Sequence, residues 1–176
     1  MRKYLSCLAL LLVPALLVAQ GKPRGLRARV AAANAAADSA GFKFELGSDA
    51  NVLQSGDSLP ASIRAGFVLG SSTSLEASIS ARADSGYTEY EASVGATAAI
   101  FPGSSVTHGQ YIFGAGVYHN DGGAHQYGVR FGSGNREVAV NGISARVQAF
   151  VERLFANGPL PADTRVGTSL GVSLWQ

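Results

Sequence analysis

Residues 164–176 read TRVGTSLGVSLWQ, and taking every second residue splits this stretch into two unlike rows. One row is Val166, Thr168, Leu170, Val172 and Leu174; the other is Arg165, Gly167, Ser169, Gly171 and Ser173. Successive side chains of a strand point to opposite faces, so the stretch predicts one continuous apolar face backed by a small, polar one. The same two-faced pattern recurs along most of residues 42–176. It predicts an all-β fold: an eight-stranded antiparallel up-and-down transmembrane β-barrel, with the apolar rows turned to lipid.

Seven further strands are read the same way. Over 42–52, Phe42, Phe44 and Leu46 oppose Lys43, Glu45, Gly47, Asp49 and Asn51. Over 62–70, Ile63, Ala65, Phe67 and Leu69 oppose Ser62, Arg64 and Gly66; over 74–82, Leu75, Ala77 and Ile79 oppose Glu76, Ser78 and Arg82. Over 87–101, Tyr90, Ala92, Val94 and Ala96 oppose Glu89, Glu91, Ser93 and Gly95. The stretch 109–119 sets Tyr111, Phe113, Ala115 and Val117 outward against Gln110, Gly114 and Gly116. Over 125–132, Tyr127, Val129 and Phe131 oppose Gln126, Gly128, Arg130 and Gly132. Over 142–154, Ile143, Ala145, Val147, Ala149 and Val151 oppose Ser144, Arg146, Gln148 and Glu152.

These strands suit the roughly 9–11 residues a tilted strand needs to cross a bilayer. Aromatic residues gather near their ends: Phe42, Phe101, Tyr111, Phe131 and Trp175 at one end, Tyr87, Tyr90, Tyr118, Tyr127 and Phe155 at the other. Such girdles mark two membrane interfaces. Outer connections are expected at 54–61, 119–124 and 155–163, with a short turn at 71–73 and a long one at 133–141.

The rest of the chain agrees with export. Arg2 and Lys3 precede an apolar core, so residues 1–20 are read as a signal peptide and residues 21–41 as a flexible or helical periplasmic lead-in. Cys7 is the single cysteine and lies in the signal, which leaves no thiol for a disulfide, a nucleophile or a metal. No 18-residue apolar run follows the N-terminus, which argues against a helical membrane protein. A net charge of +2 excludes any strong electrostatic case for nucleic acid.

By these features the chain resembles the small OmpA/OmpX-like outer-membrane barrels over residues 42–176. That resemblance implies residence in the bacterial outer membrane, with lipid and the outer-membrane assembly machinery as partners. It also identifies Leu170, Val172, Leu174 and Trp175 with the C-terminal assembly signal. The signal usually ends in an aromatic residue on the apolar row; here Gln176 is last and Trp175 falls in the lumen row.

The lumen rows supply the candidate site, a charge network of Glu45, Arg64, Glu76, Arg82, Glu89, Glu91, Arg130, Arg146 and Glu152. Eight strands leave just enough interior for side chains to fill. Buried charges must pair, so a lumen plugged by ion pairs is expected, with an ion path as the alternative. No catalytic residue, metal site or cofactor is expected. His119 and His125 flank Asp121 in one loop, a conceivable metal site, but are read as two surface histidines on a polar turn. No serine stands in a G-x-S-x-G motif, and the glycines at 114–116 and 132–134 lack a P-loop lysine.

The expected role is structural or interactive, with outer loops meeting a surface ligand or protein. The alternative is a secreted, lipocalin-like soluble barrel holding an apolar ligand. A third reading is a small lipid-modifying enzyme using His119 at the rim.

Overall fold

The computed structural model describes residues 43–55, 61–84, 87–140 and 142–176, together with Ala28, Ala32 and Gly41. The signal segment, nearly all of the lead-in, and Phe42 lie outside the described residues. Eight strands follow in order: β1 (Phe44–Gln54), β2 (Ala61–Gly70), β3 (Thr73–Asp84), β4 (Tyr87–Ala99), β5 (Gly109–Asp121), β6 (Ala124–Val140), β7 (Ile143–Leu154) and β8 (Asp163–Trp175). Each pairs antiparallel with its sequence neighbours, and β1 closes on β8 from Glu45↔Trp175 to Gln54↔Gly167. Closure pairs the edges that an open sheet would expose. Among the described residues no helix is long and apolar enough to cross a membrane.

The barrel is inside-out relative to a soluble protein. Its large exposed apolar side chains include Phe44, Leu46, Ile63, Phe67, Ile79, Val94, Phe131, Leu170, Val172 and Leu174. Its buried polar ones include Glu45, Arg64, Arg146, Glu152, Arg165 and Ser173. This is the expected row assignment for β1–β4 and β6–β8. Leu170, Val172 and Leu174 face outward, and Trp175 lies buried inside.

Three expectations are corrected. In β5 the rows are reversed: Tyr111 and Val117 are buried in the lumen while Ile112 is exposed. Register decides this, because Glu91 on β4 pairs with His119, which puts Val117, Ala115 and Phe113 on the lumen side. Secondly, β6 does not stop at Gly132 but runs to Val140, pairing Gly134 with Gln148 and Arg136 with Arg146. The long turn expected at 133–141 therefore shrinks to 141–142. Thirdly, Tyr111 and Trp175 leave the girdle, since both line the lumen.

At the proximal end, where β1 begins and β8 finishes, the connections are 71–72, 100–108 and 141–142. The longest folds back over the opening: Val106 and Thr107 are buried, and Val106 N–H donates to Ser71 O at 3.1 Å. At the distal end, β5 and β6 join through Gly122 and Gly123, both at positive φ (61° and 111°), where glycine carries no Cβ penalty.

Candidate functional site

Strand register stacks the inward charges into two layers. The proximal layer takes Glu45 and Asp49 from β1, Arg64 from β2, Glu76 from β3, Arg136 from β6 and Arg146 from β7. Arg146 grips Asp49 with a fork, Nε to Oδ1 at 2.7 Å and Nη2 to Oδ2 at 2.5 Å, and sends Nη1 to Glu76 Oε2 at 2.9 Å. Arg64 binds Asp49 through Nε at 3.0 Å, pairs with Glu45, and donates to Ser173 Oγ at 2.7 Å. Arg136 reaches Glu76 Oε1 at 3.1 Å and Glu45 Oε2 at 3.3 Å, and also donates to Val106 O of the covering loop. Thr97 completes Glu76 at 2.8 Å. Three carboxylates thus meet three guanidiniums, with charge balanced and bidentate geometry in place.

Aromatic rings close this layer. The Arg136 guanidinium lies 5.2 Å from the Tyr111 ring centre and 5.0 Å from that of Trp175, within cation–π range. Trp175 Nε1 donates to Ser144 Oγ at 2.9 Å, and Tyr111 Oη to Gln148 Oε1 at 3.2 Å. Gly171 leaves room for this fork: a Cβ at that position would overlap Asp49 Oδ1 and force the carboxylate to shift.

The distal layer takes Arg82 from β3, Glu89 and Glu91 from β4, Arg130 from β6, Glu152 from β7 and Arg165 from β8. Arg130 bridges Glu91 and Glu152, with Nε to Glu152 Oε2 at 2.8 Å, and stands 4.9 Å from the Phe150 ring centre. Arg165 lies 3.8 Å from Glu91 and 3.7 Å from Glu152, and donates to Asp163 at 2.9 Å. Arg82 pairs with Glu89 at 2.5 Å. Between the layers is a cavity of about 60 Å³ lined by Ser78, Ser80, Ser93, Asn51, Ser169 and Phe113. It is roomy enough for a few water molecules, at roughly 10–15 Å³ each, and far too small for a lipid or a drug-sized ligand.

All nine residues of the expected network face the lumen, and the structure divides them between the two layers. Asp49, Arg136 and Arg165 belong with them and were not singled out from the sequence. Asp49 and Arg165 sit on the correct polar rows of β1 and β8. Arg136 needed the period of Arg130, Gly132 and Gly134 to be carried two residues further.

The histidines are corrected too. His119 is not a surface residue: it is buried in the lumen, with Nε2 3.7 Å from Glu89 and Nδ1 3.8 Å from Glu91. His125 is exposed and stacks on Tyr118 outside the barrel, at 6.1 Å between ring centres. The two imidazoles point to opposite faces of the sheet and cannot converge on one metal ion. Among the described residues there is no cluster of three or more His, Cys, Asp or Glu side chains suited to a metal.

No known protein-family model matches the sequence, and no curated protein matches it. Solved structures do. The N-terminal β-barrel domain of Pseudomonas aeruginosa OprF superposes with a TM-score of 0.53 at 12% identity, covering 77% of this chain and 96% of that one. Neisserial surface protein A gives a TM-score of 0.53 at 13% identity, covering 74% and 96%. The fold is that of the small eight-stranded barrels.

Proposed function

We infer that this protein is an integral barrel of the bacterial outer membrane, with a structural or surface-interaction role and a lumen sealed by its two ionic layers. One observation carries the reading: apolar side chains cover the outside while the charges are buried and paired inside. In water such a surface would be an aggregation liability, whereas in a bilayer it is the required one. The proximal end faces the periplasm in this reading and the distal end faces outward. The lipocalin-like alternative needs an apolar cavity, and the lumen offers about 60 Å³ bounded by Asp49, Arg64, Glu76 and Arg130. A rim enzyme built on His119 would need that imidazole at the opening rather than between two carboxylates.

Cell fractionation with gel electrophoresis tests the reading. The protein is expected in the outer-membrane fraction as a detergent-resistant band that changes mobility only after boiling. A soluble protein with no such shift would overturn the membrane assignment. In planar bilayers the folded protein is expected to show no steady conductance; a persistent open channel would overturn the sealed lumen alone.

A further inference from the structure

The outer surface of the barrel is not uniform around its distal rim. On the β1–β3 side the described outward positions are Ala50, Ile63, Ile79, Ala81 and Ala83, all exposed and aliphatic, with Ser48 beside Ile63 as the one hydroxyl. On the β4–β8 side they carry hydroxyls, an imidazole and a guanidinium. Tyr118 is at the centre, with ring centres of Tyr90, Tyr127 and His125 at 5.8, 5.4 and 6.1 Å. Beyond Tyr127, on β7, stands Arg153, opposite Val129 and next to Phe155, whose N–H donates to Tyr127 O.

Arg153 is the one exposed charged side chain in the outward row of any strand among the described residues. Its Nη1 donates to Thr164 Oγ1 at 2.5 Å, which pins the guanidinium against β8. No carboxylate among the described residues pairs with it. A guanidinium has five N–H donors in a fixed fork, and the fork matches phosphate geometry. At a membrane interface a fixed charge without a protein counter-ion calls for an anion, and the local anion there is a lipid headgroup. Arg153 and Tyr118 are two strand spacings apart and offset by two residues along the strand, roughly 12 Å between backbone positions, within the reach of one sugar-phosphate headgroup and the two long side chains.

We propose that the distal rim of β4–β8 binds the phosphate-bearing headgroup of an anionic lipid, with Arg153 on the phosphate and the Tyr118, Tyr127 and His125 cluster on the headgroup's hydroxylated part. The proposal rests on the membrane reading above and adds to it a side and a ligand class. Among the described residues the outward positions of the β1–β3 rim carry no guanidinium, imidazole or phenol, so the proposed contacts lie on the β4–β8 flank of the barrel.

Native mass spectrometry of the full-length folded protein in detergent tests it, with diphosphorylated lipid A as probe and phosphatidylcholine as the zwitterionic comparison. A one-to-one adduct with lipid A is expected to survive detergent removal. Arg153→Gln is expected to lower the bound fraction roughly tenfold, the size of a lost charge-assisted hydrogen bond. Lys43→Gln, at the proximal end, should leave it unchanged. Equal retention by Arg153→Gln, or equal retention of phosphatidylcholine, would overturn the proposal. So would displacement by millimolar glycerol phosphate, which would assign the site to free phosphate. The same samples are run boiled and unboiled. A heat-modifiable band with unchanged lipid retention defeats this inference alone; absence of the band defeats the membrane reading and this inference with it.

Discussion

The proximal and distal layers share the same core of charges, three carboxylates and three arginines each, to which the distal layer adds the exposed Asp163 on Arg165, and they differ in how they are covered and connected. In the proximal layer every guanidinium touches at least two carboxylates, and Glu76 is within 4 Å of three arginines. The layer is shut off by the 100–108 loop, Tyr111 and Trp175, and Arg136 is 1% exposed. The distal layer is a chain of contacts open to solvent at one end: Arg82, at its rim, is 36% exposed and pairs with Glu89. Equal core charges therefore do not imply equal energetics. Burial raises both the strength of each pair and the cost of leaving a partner alone, whereas water at the rim screens both.

That contrast can be broken by substitution. The largest effect is expected from Glu76→Gln, which keeps the shape but strips a shared partner from Arg136 and Arg146. It should destabilise the folded barrel by about 3–5 kcal/mol, read as a lowered midpoint for urea unfolding in vesicles. Arg130→Met leaves Glu91 and Glu152 with Arg165, 3.8 and 3.7 Å away, as their remaining arginine, in the better hydrated layer. A loss of about 2 kcal/mol is expected by the same measurement. Arg82→Gln should cost less than about 1 kcal/mol, and that small difference should shrink further in high salt. If Arg82→Gln proved as damaging as Glu76→Gln, coverage would not be what separates the layers.

Much of the barrel was legible because alternation was sharp wherever one row held charges. In β8, Arg165 and the Gly/Ser row contrast with Leu170, Val172 and Leu174; in β7, Arg146 and Glu152 mark the lumen side without ambiguity. β5 lacked that contrast. Its rows are Tyr111, Phe113, Ala115, Val117 and Ile112, Gly114, Gly116, Tyr118, both apolar or small, so hydrophobicity alone favoured the wrong one. His119 was the available signal, since an imidazole at the same parity as Val117 belongs beside Glu91. β6 was cut short at a Gly-Ser-Gly stretch that reads as a turn. In the folded chain those glycines are lumen positions: a Cβ at Gly132 would run into the Phe113 ring, and one at Gly134 into the Tyr111 hydroxyl.

The sequence by itself determined the strand count, the inside-out distribution of polarity and, for every strand but β5, the row that lines the lumen, because side-chain direction along a strand is a local property with a period of two. Which charges meet was decided by the tertiary structure. Asp49 is gripped by Arg64 from 15 residues away and by Arg146 from 97, and Arg146 reaches Glu76 across 70. Those pairings depend on inter-strand register and on closure of β1 against β8. Register is set by the fit of all eight strands together, so no single stretch of sequence contains it.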